Sequence, residues 1–224
     1  MEAFSRLFER YLSGDIIIMK KIVIVGAGGH AKVIVDMIQQ QGVYDVVGLV
    51  DKKGVQGFWG LSVIGEDCDL PMIFKSGVDY AFIALGSNLL RCKLSSTVRH
   101  IGFHIPNIIS NDAKISKRSK LGEGIAIMPG AIINADTTIN DGCIINTNAS
   151  IDHEGYLEPF VHIAPGCSLS GKVKIGRNSF IGTGARIIDG VSVGTNVIAG
   201  AGTVIIHDVE DNCTVVGVPA KKIK

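Results

Sequence analysis

Charged and aromatic side chains are both scarce in this chain of 224 residues. Charged residues make up 19% of it and aromatic residues 6%, with a single tryptophan. The formal net charge of +1 gives no electrostatic basis for binding nucleic acid or an anionic membrane surface. The chain is nevertheless long enough to bury a core, either as one large domain or as two small ones.

Long hydrophobic runs are also missing. The apolar segment from Asp15 to Val25 is interrupted by Lys20 and Lys21 and is too short to span a bilayer. No stretch follows the pattern of a signal peptide. The five cysteines are an odd number and show no CxxC spacing. We therefore expect a cytoplasmic protein without membrane insertion.

A period of six residues dominates the second half of the chain. An aliphatic residue recurs at every sixth position, and only Ala199 is not Ile, Leu or Val. The series is Ile109, Ile115, Leu121, Ile127, Ile133, Ile139, Ile145, Ile151, Leu157, Ile163, Leu169, Ile175, Ile181, Ile187, Val193, Ala199 and Ile205. A period of six is neither the 3.6 of a helix nor the 2 of an ordinary strand, and it predicts a parallel β-helix of hexapeptides. Cys143 and Cys167 occupy a small position four residues after the aliphatic one, which favours buried small side chains over a redox or metal role.

The chain divides into an α/β domain and this solenoid. Residues 1–18 form a leader to which we assign no function, residues 19–105 a Rossmann-like domain, residues 106–205 the solenoid and residues 206–224 a tail. Apolar runs predict buried strands at Ile22–Val25, Val46–Val50 and Tyr80–Leu85, with helices from Lys32 to Gln41 and from the Gly86-Ser87-Asn88 turn to about His100. Strand, helix and strand joined by short connections imply a parallel sheet.

A glycine-rich loop follows the first predicted strand. Gly26, Gly28 and Ala31 open a helix, and Asp51 ends the next strand, as in nucleotide-binding fingerprints. The glycines would let the backbone and the helix N-terminus approach a phosphate, and Asp51 would accept hydrogen bonds from ribose or base. Tight turns also use glycine without a ligand. Because the domain is too small for two nucleotide-binding halves, we favour a mononucleotide moiety over NAD. His30 within the loop is either bonded to backbone or in contact with the ligand.

A histidine flanked by two carboxylates lies within the predicted solenoid. Three hexapeptides make one coil, so residues 18 apart stack about 4.8 Å from each other. His153 and His162 both fall on outward positions, where the plain alternative is two solvated surface histidines. Asp152 and Glu154 flank His153, and a carboxylate makes an imidazole a better general base. Gly171 lies one coil beyond His153, where its N–H would serve as an oxyanion donor, so the set suits acyl transfer.

These motifs together resemble a known family. The hexapeptide array, DHE at 152–154, SGKVKIG at 170–176 and GVPAK at 217–221 resemble the left-handed β-helix acyltransferases. IVIVGAGGHAKV at 22–33, LVD at 49–51 and ALGSN at 84–88 narrow the resemblance to sugar acetyltransferases of the sialic acid O-acetyltransferase and bacillosamine-pathway N-acetyltransferase type. This implies a homotrimer with acetyl-CoA bound between neighbouring solenoids and no metal.

The resemblance also implies roles for particular residues. His153 would be the base, Glu154 would raise its basicity, and the Gly171 N–H would hold the oxyanion. The residues implied for coenzyme A are His162, Thr183, Ala201 and, in the tail, Lys221. Those implied for the nucleotide of an activated sugar are Gly28, Gly29, His30 and Asp51.

Acetyl transfer to the amino group of a nucleotide-activated sugar, at its 4-amino position, is the leading functional prediction. O-acetylation of sialic acid or a related sugar hydroxyl keeps the same chemistry and stays open. A non-catalytic trimeric scaffold with a nucleotide-binding domain is a further alternative. Zinc carbonic anhydrases of the same solenoid type use three histidines, but the spacing of His153, His162 and His207 brings no three ligands to one point.

Overall fold

The computed structural model describes residues 19–224, which form two compact units. The first unit runs to Ala84 and includes Val98–His104. The second contains Leu85–Thr97 and Ile105–Lys224. The predicted leader, residues 1–18, lies outside the described residues.

The first unit is built around a four-stranded parallel sheet in the order β3-β2-β1-β4. Its elements are β1 Lys20–Val25, α1 Gly29–Gln41, β2 Tyr44–Val50, β3 Val63–Gly65, a 3₁₀ turn at Asp67–Asp69, α2 Leu70–Lys75 and β4 Tyr80–Ile83. The central strand β1 is completely buried over Ile22–Ile24, as its continuous apolar run predicts. The predicted parallel sheet is therefore present. The short β3 and α2 were not predicted, because three and six residues show no readable periodicity.

A third helix, α3, spans Asn88–Ile101. Its residues up to Thr97 group with the solenoid and the rest with the first unit. The sequence placed all of them in the Rossmann-like domain. The difference has a physical reason, because Asn88 and Arg91 bond to solenoid carbonyls.

The second unit is a left-handed β-helix of two-residue strands, so the predicted fold class is confirmed. Each strand from β5 to β21 pairs in parallel with the strand 18 residues away, as Ile144 with His162 and His162 with Phe180. The strands are β5 Ile108–Ile109, β6 Lys114–Ile115, β7 Lys120–Leu121, β8 Ala126–Ile127, β9 Ile132–Ile133, β10 Thr138–Ile139, β11 Ile144–Ile145, β12 Ser150–Ile151, β13 Tyr156–Leu157, β14 His162–Ile163, β15 Ser168–Leu169, β16 Lys174–Ile175, β17 Phe180–Ile181, β18 Arg186–Ile187, β19 Ser192–Val193, β20 Ile198–Ala199 and β21 Val204–Ile205.

These strands form three faces, named here by their strand counts. The five-strand face holds β7, β10, β13, β16 and β19, and the six-strand face holds β6, β9, β12, β15, β18 and β21. The eight-strand face begins at β5 and ends with β22 Thr214–Val216 and the antiparallel β23 Lys221–Lys222 from the tail. The chain passes from the six-strand face to the five-strand face, then to the eight-strand face, and so around again.

The solenoid core consists of the predicted aliphatic series. From Ile127 to Ile205 each member is at most 3% exposed. Cys143 and Cys167 are free, buried thiols inside this core, which confirms the burial predicted for them. Burial raises the pKa of Cys143 to about 12, and it also raises the pKa of Cys167.

The corners of the coil take a left-handed backbone with the same period of six. Positive φ recurs at each sixth residue from Gly124 to Gly202, three residues after the inward aliphatic position. Eleven of these fourteen corners are Gly, Asn or Asp, the residues that adopt this conformation at least cost. The three exceptions are Glu154, Phe160 and Lys172.

No helix within residues 19–224 is long and apolar enough to cross a membrane.

Candidate active site

His153 lies on the edge between the six-strand and five-strand faces, called here the His153 edge (residues 152–155 and 170–173). Its side chain is 52% exposed, so the predicted outward orientation is confirmed. Gly171 occupies the equivalent place one coil further, and a Cβ added there would lie 2.6 Å from Nε2 of His153. Only glycine leaves room for the imidazole in this position. The stacking of residues 18 apart therefore brings the predicted base and the predicted oxyanion donor together.

The two carboxylates that flank His153 have different partners. Asp152 accepts hydrogen bonds from Nδ2 of Asn134 at 2.9 Å and from the backbone N–H of His153 at 2.8 Å. The side-chain bond from Asn134, followed by the backbone bond, lowers the pKa of Asp152. Glu154 instead faces the imidazole, with Oε2 3.7 Å from Nδ1 of His153 and 3.8 Å from Nζ of Lys172. Glu154 thus interacts with one imidazole nitrogen while the other, Nε2, faces Gly171.

Strained corners accumulate at this edge. Glu154 has φ 59° and Lys172 also has φ 59°, at positions where the other coils mostly carry glycine or asparagine. A left-handed residue with a long side chain costs about 1–2 kcal/mol. Both side chains belong to the charged group around His153. Strain retained at a cluster of functional groups is typical of active sites.

A groove adjoins Glu154 on the five-strand face. It has a volume of about 610 Å³ and is lined by residues that include Tyr156, Glu158, Lys174 and Ser192. This volume is in the range of small-molecule sites.

His162 differs from the sequence expectation. It lies in β14 on the eight-strand face and is 8% exposed rather than solvent-facing, although it stands outside the aliphatic core. Its ring packs edge-on against Phe180, with centroids 5.1 Å apart, and its Nε2 is 3.1 Å from Nδ2 of Asn146. The period of six correctly predicted that His162 points away from the core. It gives no information on which residues cover that face.

The other residues implied for coenzyme A lie on different parts of the solenoid. Thr183 and Ala201 are exposed and stack on the edge between the eight-strand and six-strand faces, where Thr183 O accepts the Gly202 N–H at 2.8 Å. Lys221 is exposed in β23 and pairs with Val216. The structure therefore does not bring these residues to His153 within one chain.

A buried arginine, which the sequence did not single out, joins the start of α3 to the solenoid. Arg91 is 2% exposed and donates to the carbonyls of Gly142 (2.7 Å), Phe160 (3.2 Å) and Leu85 (3.0 Å) and to Oδ1 of Asn88 (2.9 Å). Burial lowers the pKa of Arg91 to about 10, so it remains protonated at neutral pH.

Asn88 connects the same helix to the coil that carries His162. Its Nδ2 donates to Ser179 O, the carbonyl that also accepts the His162 N–H.

The glycine loop lies at the carboxyl edge of the four-stranded sheet. Gly28 and Gly29 are exposed and His30 is half-buried at the start of α1. Oδ2 of Asp51 accepts the Ala27 N–H at 2.8 Å, and Oδ1 accepts the Lys52 N–H at 2.7 Å. The structure thus brings together the four residues predicted for the nucleotide. It adds one fact that the motif did not contain, namely that Asp51 is hydrogen-bonded to the loop itself.

No group of three His, Cys, Asp or Glu side chains is placed to hold a metal ion in the described part of the chain.

A left-handed hexapeptide solenoid with a histidine, a carboxylate and an N–H donor on one edge defines an acyltransferase of the β-helix class. The PglD N-terminal domain family matches residues 21–98. Perosamine N-acetyltransferase (PerB) from Caulobacter crescentus is 41% identical in a structure with CoA and GDP-perosamine; the match covers 91% of this chain and 97% of that one, with a TM-score of 0.88. The chain therefore belongs to the hexapeptide-repeat sugar acetyltransferases, and the predicted family is confirmed.

Two further relatives agree with this assignment. The acetyltransferase domain of PglB from Neisseria gonorrhoeae, in complex with acetyl coenzyme A, is 37% identical over 92% of this chain and 100% of that one, with a TM-score of 0.87. GDP-perosamine N-acetyltransferase from Escherichia coli O157:H7 is 27% identical over 75% of this chain and 78% of its own length. The predictions of an enzyme and of acetyl-CoA as co-substrate are confirmed.

Proposed function

We propose that this protein transfers an acetyl group from acetyl-CoA to the 4-amino group of a GDP-linked amino sugar. The contact between His153 and Gly171 supports the proposal most, since these two residues would serve as base and oxyanion donor. Two PerB structures and the Escherichia coli relative name perosamine linked to GDP, which supports a GDP sugar as acceptor here.

The reaction needs one base and one donor. Nε2 of His153 removes a proton from the acceptor amine as its nitrogen attacks the thioester carbonyl carbon. The Gly171 N–H stabilises the oxyanion of the tetrahedral intermediate. When the carbon–sulfur bond breaks, the imidazolium returns the proton to the coenzyme A thiolate. Glu154, 3.7 Å from Nδ1, stabilises the imidazolium between these two transfers.

A sugar hydroxyl as acceptor would use the same groups. The perosamine relatives favour an amine, because their names specify N-acetylation. An O-acetyltransferase would release thiol only with hydroxyl acceptors, and the acceptor panel below separates the two.

We further propose a homotrimer whose active sites lie between chains. His153 and Gly171 lie on one edge of the coil, whereas Thr183 and Ala201 lie on the other edge of the six-strand face. The six residues that separate successive edges span up to about 20 Å. A pantetheine arm contacting Thr183 and Ala201 of one solenoid would reach His153 of its neighbour if the solenoids pack side by side.

Thiol release from acetyl-CoA, measured with GDP-, UDP- and dTDP-linked amino sugars and with sialic acid, tests the acceptor. Wild type is compared with His153→Asn and with His207→Asn, an exposed histidine three coils beyond His153. We expect turnover with the GDP-linked amino sugar, a loss of kcat of about 10²–10⁴-fold in His153→Asn, and wild-type rates in the control. Turnover with sialic acid alone, or full activity in His153→Asn, would contradict the proposal.

Mixed trimers test the shared site. His153→Asn lacks the base, and Ala201→Phe blocks the proposed position of pantetheine. Co-expressed, the two inactive chains should regain about a quarter of the wild-type rate, because a quarter of randomly mixed sites combine the two intact edges. If both edges serve a site within one chain, mixing restores nothing.

A further inference from the structure

The loop between β2 and β3 exposes the only tryptophan of the chain. Trp59 is 60% exposed and has φ 52°, which is an outlier for a bulky residue. The Leu61 N–H donates to Phe58 O at 2.9 Å and closes a tight turn around it. The turn thus holds a large apolar ring in solvent, at a cost in both backbone strain and exposed surface.

The contacts of Phe58 and Lys32 show where this turn lies relative to the glycine loop. The Phe58 ring lies edge-on to Trp59 at an interplanar angle of 86°, with centroids 5.3 Å apart. Nζ of Lys32 is 5.6 Å from the centre of the Phe58 ring. Lys32 belongs to the first turn of α1, where its N–H donates to Gly28 O. The Trp59 turn therefore lies beside the glycine loop.

The start of the same loop is tied to the glycine motif. Asp51 is the first residue after β2, and its carboxylate accepts the Ala27 N–H. In open α/β sheets, nucleotides bind at this carboxyl edge, with phosphate at the helix N-terminus. A ribose held near Asp51 would direct its base along the segment that leaves β2, which is the segment that contains Phe58 and Trp59.

We propose that Trp59 is the platform on which the base of the nucleotide sugar stacks, and that it favours a purine because of the larger ring overlap. Stacking on an aromatic side chain is a strong contact that every base can make, because every base has a π-face. Phe58 holds the indole from its edge, and the Lys32 ammonium lies on the side where the phosphates bind. This inference rests on the proposed nucleotide-linked acceptor and adds a site for its base.

The fluorescence of Trp59 reports on this site directly, since the chain has no other tryptophan. We expect saturable quenching on titration with GDP, weaker quenching with UDP and none with ribose 5-phosphate, which lacks a base. Binding of GDP in calorimetry without any change in fluorescence would overturn the proposal.

Steady-state kinetics supply the second readout. Trp59→Ala should raise KM for the GDP-linked sugar about 10-fold or more, and Trp59→Phe by less, with kcat and KM for acetyl-CoA unchanged. Met72→Ala, which removes another exposed apolar side chain, is the matched control. An unchanged KM in Trp59→Ala would refute the stacking role. Absence of any turnover in wild type would instead refute the proposed acceptor, while the GDP titration would still test the base site.

Discussion

The imidazole of His153 occupies the space where a side chain at Gly171, one coil further along the solenoid, would begin. Since a Cβ there would lie 2.6 Å from Nε2, the position of the imidazole requires glycine at 171. The contact ties the predicted general base and the predicted N–H donor to the same 18-residue repeat. Their relative position is therefore a property of the coil, which a flexible loop would not hold to the same accuracy.

Gly171→Ala should displace the imidazole without unfolding the chain. A shift of about 1 Å in a catalytic group costs on the order of 10²-fold in rate, so we expect kcat to fall by that amount with little change in KM for acetyl-CoA. Gly77→Asn is the control, because this first-unit glycine also has a left-handed backbone and a Cβ added there would meet nothing within 4 Å. Steady-state kinetics and the thermal midpoint of both variants make the comparison, and a fully active Gly171→Ala would argue against this geometry.

Glu154→Asn should raise the free energy of unfolding and lower kcat. Asparagine adopts φ near 59° more readily than glutamate, so the free energy of unfolding should rise by about 1 kcal/mol. The loss of the carboxylate beside Nδ1 should lower kcat about 10-fold or more. Denaturant unfolding and kinetics measure the two effects.

Lys172→Asn is the matched variant for that experiment. It relieves the same strain on the same edge and leaves Glu154 in place, so kcat should stay within about twofold of wild type. Equal losses of kcat in the two variants would show that the charge of the edge, and not Glu154 itself, supports catalysis.

Arg91→Met should destabilise the protein strongly. The substitution leaves the buried carbonyls of Gly142 and Phe160, and the partly buried carbonyl of Leu85, without their donor. Each unsatisfied group costs about 1–3 kcal/mol, so a loss of about 3 kcal/mol or more is expected in urea unfolding. Arg118→Met, at an exposed corner, should change stability by less than about 0.5 kcal/mol. A small effect in Arg91→Met would mean that water replaces the guanidinium.

The thiol of Cys143 should resist alkylation in the folded protein. With its pKa raised to about 12 by burial, only about one molecule in 10⁴ carries the thiolate at pH 8, and only the thiolate reacts. Cys68 is exposed and should be modified first by Ellman's reagent. Addition of urea should release the Cys143 signal together with loss of structure, whereas reaction of Cys143 before unfolding would contradict its burial. Cys68→Ser identifies the fast phase.

Much of the fold was predictable, because the inward-facing aliphatic side chains of the hexapeptide repeat recur at every sixth position. The period of six requires only that Ile, Leu and Val point to one interior, and each coil repeats the requirement. The partnership of His153 with Gly171 followed from counting 18 residues. Short elements such as β3 and α2 were not predictable, since their residues are too few to show a period.

The surroundings of the site residues were not readable in the same way. The sequence shows two carboxylates beside His153, but only the structure shows that Asp152 bonds to Asn134 while Glu154 faces the imidazole. The sequence also predicts that His162 points away from the core, but only the structure shows that its ring packs against Phe180. Such partners come from neighbouring coils or from α3, and no local pattern encodes them.

The left hand of the solenoid was implied by the family resemblance. By itself, the sequence determined the hexapeptide solenoid, the parallel α/β unit, the glycine motif and the edge that carries His153. These depend on periodicity and on backbone geometry, which each short segment specifies for itself. Only the tertiary structure decided that Arg91 is buried against solenoid carbonyls, that Asp51 is bonded to the glycine loop, and that strain gathers at Glu154 and Lys172. These features depend on contacts between residues distant in the chain, and such contacts exist only once the coil and the sheet have closed.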